Sequence, residues 1–392
     1  MKKLFMIGFG QCFASIIPVL IWTLTGKLYG DAFVNGMTFT YPYQFLFSLI
    51  WNAAFVGSIK FELKKQTGHR NYSQTGILVG TAAGIMLIGL SLRYRTVIAP
   101  FLGVTTDIDQ WAFLFGLCSM GVDWPALFLG ELHSYYGDEK KGTRFIITWY
   151  LVKFILVCVT VFPVFNHKTA SIFVLSVQSV ILILLLWHTR PQKLQFAIIS
   201  SIRHTAGDLV YYLFMLLIYL FGIHDMSVMD RSMLAAFNLM TLCTDMQWDV
   251  CDLAIDVTVT GSVCDGTFGR QKRKIILHNA VFSMFMASSS FVMMGLMLVL
   301  YRDVNPASAL VYMIIELSAM VPCSICDTIS AYVNIRYPGV WMAMLVTYRY
   351  SVRLAAQILI SSPYAISIAS PISVVAGVPF LILLYRKAGR TA

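Results

Sequence analysis

Charge is scarce in this chain. Of its 392 residues only 12% are Asp, Glu, Lys or Arg, 58% are hydrophobic, and the mean hydropathy is +0.73. A soluble globular domain carries about 25% charged residues, so the composition excludes that class and points to a bilayer as the solvent. Catalytic signatures are missing too. There is no HExxH, no GxSxG and no GxxxxGK[ST] phosphate loop, and the seven histidines are dispersed. The chain therefore reads as neither an enzyme nor an ATP-driven pump, and any work it does must draw on an ion or substrate gradient. The eight cysteines are scattered, mostly within apolar runs, and read as small apolar residues. Cys323 and Cys326 form one CxxC but lack the two further ligands of a structural zinc site. Long polar segments are absent as well, which leaves no soluble domain for a receptor or scaffold to present. No cofactor and no structural metal are implied.

What the chain has is apolar runs punctuated by charge. Twelve runs long enough to cross a bilayer lie near 4–25, 33–58, 75–92, 111–132, 144–163, 170–188, 196–222, 232–262, 275–299, 308–330, 337–361 and 365–385. Basic residues test that count. With both termini on one side, alternate loops collect 20 Lys and Arg on the inner side, among them Lys2, Lys60, Lys65, Lys141, Arg190 and Arg273, against 6 outside. Removing or adding one span scrambles that asymmetry, so the positive-inside rule places both termini in the cytoplasm. The net charge of +10 is thereby loop charge, and it requires no nucleic-acid partner. The expected class is an all-α integral protein of the plasma (inner) membrane.

The chain also repeats itself. Around Gly57-Ser58 and Gly261-Ser262 an apolar run passes into a basic loop, 204 residues apart. Tyr150, Val152, Lys153 and Pro163 match Tyr350, Val352, Arg353 and Pro363 at an offset of 200. Six spans per repeat is an even number, so the two halves enter from the same side and are related by an axis along the membrane normal. This gives an N-terminal lobe at 1–188, a Pro-broken linker at 189–195 and a C-terminal lobe at 196–392.

The strongest local signal is a row of acids within the eighth span. Asp245, Asp249, Asp252 and Asp256 fall within an arc of about 60° on a helix turning about 100° per residue. A charge at mid-bilayer costs at least about 2.5–3.5 kcal/mol, so this face must line a wet cavity, pair with cations or hold protons. Carboxylates so close cannot all ionise cheaply, which suits them to exchange a proton or Na⁺. The alternative is a structural ion-pair network. Lys153 in the fifth span and Arg349 and Arg353 in the eleventh are basic groups at membrane depth. They either pair with neighbouring carboxylates or face a cavity and its substrate, with Tyr150 and Tyr350 placed to stack on a flat or cationic ligand.

Two parallel six-span halves, a Gly-Ser and basic loop after the second and eighth spans, the Tyr136-Gly-Asp-Glu-Lys-Lys-Gly-Thr-Arg144 loop and the Asp230-Arg-Ser-Met-Leu-Ala-Ala236 segment together resemble the multidrug and toxic compound extrusion (MATE) family. Its wider superfamily includes lipid-linked oligosaccharide flippases. The resemblance implies export of an organic cation in exchange for Na⁺ or H⁺; the embedded basic groups extend the expected substrate to a zwitterion, and a single copy is expected to suffice. The resemblance also implies coupling acids on the seventh, eighth and tenth spans: Asp208, the four-aspartate row and Glu316. Some members keep a proton-binding Asp in the first span; here that span offers Gln11, assigned to the substrate cavity, and no acid. Two alternatives stand beside this reading: a flippase for a lipid-linked anionic headgroup, and a non-transporting membrane receptor or scaffold.

Overall fold

The computed structural model of the chain describes residues 39–65, 70–101, 104, 106–161, 166–229, 231–264, 266–300, 305–336 and 340–390, and isolated pairs between 16 and 29. Gln11 lies outside the described residues, as do the side chains of Asp245 and Asp249. The helices are α1 (Tyr41–Trp51), a π-helical turn (Asn52–Val56), α2 (Gly57–Lys65), α3 (Asn71–Arg93), α4 (Arg95–Phe101), α5 (Asp107–Tyr135), α6 (Glu139–Val161) and α7 (His167–His188). They continue as α8 (Ile198–Met229), α9 (Arg231–Cys264), α10 (Phe268–Leu300), α11 (Pro306–Ser318), α12 (Met320–Arg336), α13 (Val340–Leu359) and α14 (Ala365–Arg390). Among the described residues, nine helices are long and apolar enough to cross a membrane. Two further long helices, α9 and α13, carry the aspartate row and Arg349 and Arg353. Side chains such as Ile183, Leu184 and Trp187 on α7 stand largely exposed, as a lipid-facing helix requires.

Two details depart from the twelve continuous runs. The second run does not stop at residue 58: its helix passes through the π turn and Gly57-Ser58 to Lys65. Gly57 sits where a Cβ would overlap the backbone of Ser201, so the Gly-Ser pair is a helix-crossing contact instead of the start of a loop. The tenth run, 308–330, is two helices that meet at Ala319. Pro322 has no N–H for the Ser318 carbonyl, and the Ala319 N–H turns back to the Glu316 carbonyl at 3.2 Å. The break therefore follows Glu316 directly.

The chain divides into two compact units, one ending at Thr205 and the other running Ala206–Ala392. The boundary falls inside α8, beyond the 189–195 segment. In the first unit, called the N-unit, α5 is the hub and packs against α3, α6 and α7. Trp51 stacks on Phe128 at 4.7 Å, and Gly80 on α3 brings that helix so close that a Cβ would lie 2.9 Å from the Trp51 ring. The end of α2 carries a buried carboxylate, Glu62. It accepts from the Tyr136 hydroxyl at 2.7 Å, the Ser73 hydroxyl at 2.7 Å and the Ser73 N–H at 3.1 Å. Glu62 thus caps the start of α3 from another helix and fastens the α5–α6 turn to it. Burial, and then the hydrogen bond to Glu62, push the Tyr136 phenol above its ordinary range.

In the second unit, called the C-unit, α9 is the hub and packs against α10, α11 and α12, while α14 packs against α11, α12 and α13. Tyr312 is fully buried, and its hydroxyl donates to the Pro363 carbonyl at 2.7 Å. The aspartate row rides on this hub helix.

Candidate functional site

The C-unit gathers charge from five helices. On α9 the backbone is helical without interruption from 245 to 256, so the four aspartates share one face. Asp252 is exposed and Asp256 half-buried. The Asp252 carboxylate lies within electrostatic reach of Tyr211 on α8 and of Cys323 on α12. Asp208, on α8, is half-buried.

Glu316 occupies the last turn of α11, just before the break. Its carboxylate stands 3.8 Å from the Arg353 guanidinium, and both side chains are largely buried. Ser367 and Ser370 of α14 lie beside the same carboxylate. Arg353 also points an Nη toward the Met215 sulfur at 3.6 Å, and its Nε has no hydrogen-bond partner. One turn earlier on α13, Arg349 pairs with Asp327 at 3.3 Å and donates to the Cys323 sulfur at 2.8 Å. The Cys323 thiol in turn donates to Asp327 at 3.0 Å, which closes a three-membered ring of polar groups. The Arg349 guanidinium lies 5.2 Å from the Tyr350 ring centre, and Tyr350 meets Tyr211 edge-on at 5.0 Å. Beside this cluster, an apolar groove of about 380 Å³ runs between α12 and α14, lined by Pro322, Cys326, Val374 and Val378 among others.

The placement supplies partners that the sequence left open. Asp327 is part of α12 and paired with Arg349. Cys323 of the CxxC is engaged by Arg349 and Asp327. Arg349 and Arg353 both pair with carboxylates.

Lys153, in the N-unit, does the same. It is buried and forms a short ion pair with Asp123 on α5, next to the Ser119 hydroxyl. Trp149 Nε1 donates to the other Asp123 oxygen at 3.0 Å, and Gln178 Nε2 on α7 lies 3.4 Å from it. Tyr150 is buried in the apolar cluster of Ile17, Ile146 and Val174, within electrostatic reach of Asp123 and Glu131. Asp123, Ser119 and Gln178 were missed from the sequence, and Cys323 was read only as half of an isolated CxxC. The missed signal was in the helical spacing: Ser119 and Asp123, like Cys323 and Asp327, lie four residues apart and so share a face.

Comparison of the fold with solved structures places it. The chain superposes over 100% of its length on 97% of a mutant of the Vibrio cholerae MATE transporter VcmN, with a TM-score of 0.73 and 15% identity. A MATE protein in complex with MaD3S gives a TM-score of 0.73 over 99% of this chain and 95% of that one, at 11% identity. An outward-facing multidrug-resistance MATE transporter of the MOP superfamily gives 0.70 over 99% and 96%, at 10% identity. No protein-family model and no curated relative matches the sequence. The chain therefore has the MATE fold, a multi-pass all-α membrane architecture, as the sequence resemblance implied.

Proposed function

We propose that the chain is a MATE-type secondary transporter. It exports an organic cation or zwitterion in exchange for Na⁺ or H⁺ by alternating access, as a single copy in the plasma membrane with both termini in the cytoplasm. The observation that carries this reading is the charge balance of the C-unit. Its membrane-depth segments hold seven carboxylates, Asp208, Asp245, Asp249, Asp252, Asp256, Glu316 and Asp327, against two guanidiniums, Arg349 and Arg353. Acids at membrane depth are stable where they line a wet cavity, meet cations or hold protons, and a carboxylate-rich cavity suits the exchange of a cation. Glu316 lies at a helix break, where the Ser318 carbonyl opposite Pro322 and the hydroxyls of Ser367 and Ser370 add neutral oxygens of the kind that suit Na⁺. The Arg353 guanidinium competes with an incoming cation for Glu316, so binding there separates an ion pair and couples occupancy to α13.

The three embedded basic groups all face carboxylates, which weighs against a flippase that would use them to grip an anionic headgroup. The test is export of cationic dyes from proteoliposomes under separately imposed Na⁺ and proton gradients. Transport driven by one gradient and abolished by Asp252→Asn or Glu316→Gln supports the reading; dye movement indifferent to both gradients removes it. Cysteines placed at Lys65, Lys141 and Arg273 should label from the cytoplasmic side alone.

A further inference from the structure

The last helix, α14, has an apolar groove on each side and a cation at the head of each. Toward α12, the groove of about 380 Å³ is lined by Ile329, Val378 and Ile382 and reaches Tyr385. Toward α13, a second groove of about 400 Å³ is lined by Met344, Pro379 and Leu383. The Lys272 ammonium, from the start of α10, stands 5.7 Å from the Tyr385 ring centre. The Lys387 ammonium, one turn beyond Leu383, lies 4.2 Å from the ring centre of Trp341 at the start of α13. Between the grooves runs a ridge. Val375, Ile382 and Arg386 are all exposed, and at about 100° per residue they fall within an arc of about 40°. The ridge therefore ends on a guanidinium, between the residue that meets Lys272 and the residue that meets Trp341. The helices α10, α13 and α14 contain no Asp or Glu. Asp327, the acid of α12, is engaged by Arg349. The positive charge at this end of the C-unit is thus not balanced by the helices that form the grooves.

We propose that this face of α14 binds one anionic diacyl phospholipid, with its phosphate on Arg386 between Lys272 and Lys387 and one acyl chain in each groove. The site goes beyond the transport reading and does not depend on it. In a bilayer every tail is as apolar as the groove walls, so the grooves orient the chains without choosing among lipids. The choice is made by the headgroup. Each cation near the surface adds about fivefold to the affinity for an anionic lipid, the equivalent of about 1 kcal/mol. A zwitterionic headgroup brings its own ammonium to the same place and forfeits that gain. Trp341 and Tyr385 are residues of the type that settles at the membrane–water interface, and they hold the cations at headgroup level above the chains. In the proposed topology the lipid belongs to the cytoplasmic leaflet.

The experiment uses native mass spectrometry of the purified full-length protein in detergent, titrated with dioleoyl phosphatidylglycerol or dioleoyl phosphatidylcholine. The expected result is one retained phosphatidylglycerol, held about tenfold more tightly than phosphatidylcholine. Lys272→Gln, Arg386→Gln and Lys387→Gln together should remove that preference; should the triple variant misfold, Arg386→Gln alone should lower it about fivefold. Lys140→Gln, Lys141→Gln and Arg144→Gln, at exposed positions of the N-unit, remove the same amount of charge and should leave the preference intact. Val378→Trp fills the groove beside α12 and should weaken both lipids alike; Ala376→Trp makes the same test in the groove beside α13. Glycerol 3-phosphate, which has no chains, should not compete. Equal affinity for the two lipids, or a preference lost as fully in the N-unit control, would overturn the proposal. So would competition by glycerol 3-phosphate, or unaltered phosphatidylglycerol binding in both tryptophan variants.

Discussion

The two units place a basic residue at matched positions and surround it differently. In the N-unit, Lys153 sits with one carboxylate, Asp123, held by a tryptophan, a serine and an amide. In the C-unit the matched Arg353 faces Glu316, and Trp149, which donates to Asp123, is matched by Arg349, which donates to Asp327. Lysine and arginine are not equivalent here. An ammonium changes its protonation readily when buried, whereas a guanidinium stays charged. Matched positions thus carry ion pairs of different composition in the two units.

Four measurements break or sharpen that comparison. The largest effect is expected at Asp123. Asp123→Leu strands a buried ammonium and should cost about 3–5 kcal/mol by thermal or denaturant melting, while Asp327→Leu, whose partner Arg349 sits beside a more open carboxylate, should cost clearly less. Equal losses would erase the distinction between the units. Next is Glu316→Gln, which leaves Arg353 facing a neutral amide. It should lower stability by about 1–3 kcal/mol and abolish ion-driven accumulation in proteoliposomes; full accumulation would move coupling away from α11. Asp252→Asn removes charge from an exposed position on α9, so its melting should shift by no more than about 0.5 kcal/mol while gradient-driven transport is lost. A large stability loss with normal transport would make the aspartate row a structural network. The smallest effect belongs to Lys168, paired with Asp107 at 3.0 Å with 38% and 72% of the side chains exposed. Lys168→Ala should shift melting by about 0–0.5 kcal/mol, which sets the scale against which the buried pairs are judged.

Much of the architecture was legible before any coordinates. Apolar runs and basic punctuation located the membrane helices because a bilayer demands long uninterrupted backbone pairing and sorts charge by side. The row at 245–256 was legible because helical periodicity alone puts offsets of four and three on one face, and α9 is indeed helical throughout that stretch. The break after Glu316 was not legible, and 308–330 reads as one run: Pro322 stands beside the break, but a proline inside a membrane helix is compatible with a continuous, kinked helix.

Pairing was decided elsewhere. Asp123 and Lys153 are 30 residues apart, Glu316 and Arg353 are 37, and Asp327 and Arg349 are 22. Nothing in the local sequence says which acid will neutralise which base, because each base has several acids within the reach of a neighbouring helix. Helix packing chose among them by bringing α5 against α6 and α11 and α12 beside α13 and α14. The same packing left Gln178 with an acceptor and no donor, a feature that exists only once α7 is set against α5. The sequence by itself determined that this chain is a membrane protein of repeated helices with acids at membrane depth, since composition and period are properties of the chain read in one dimension. Only the tertiary structure decided which charges are matched, because an ion pair is fixed by a distance of a few ångströms that no one-dimensional pattern specifies.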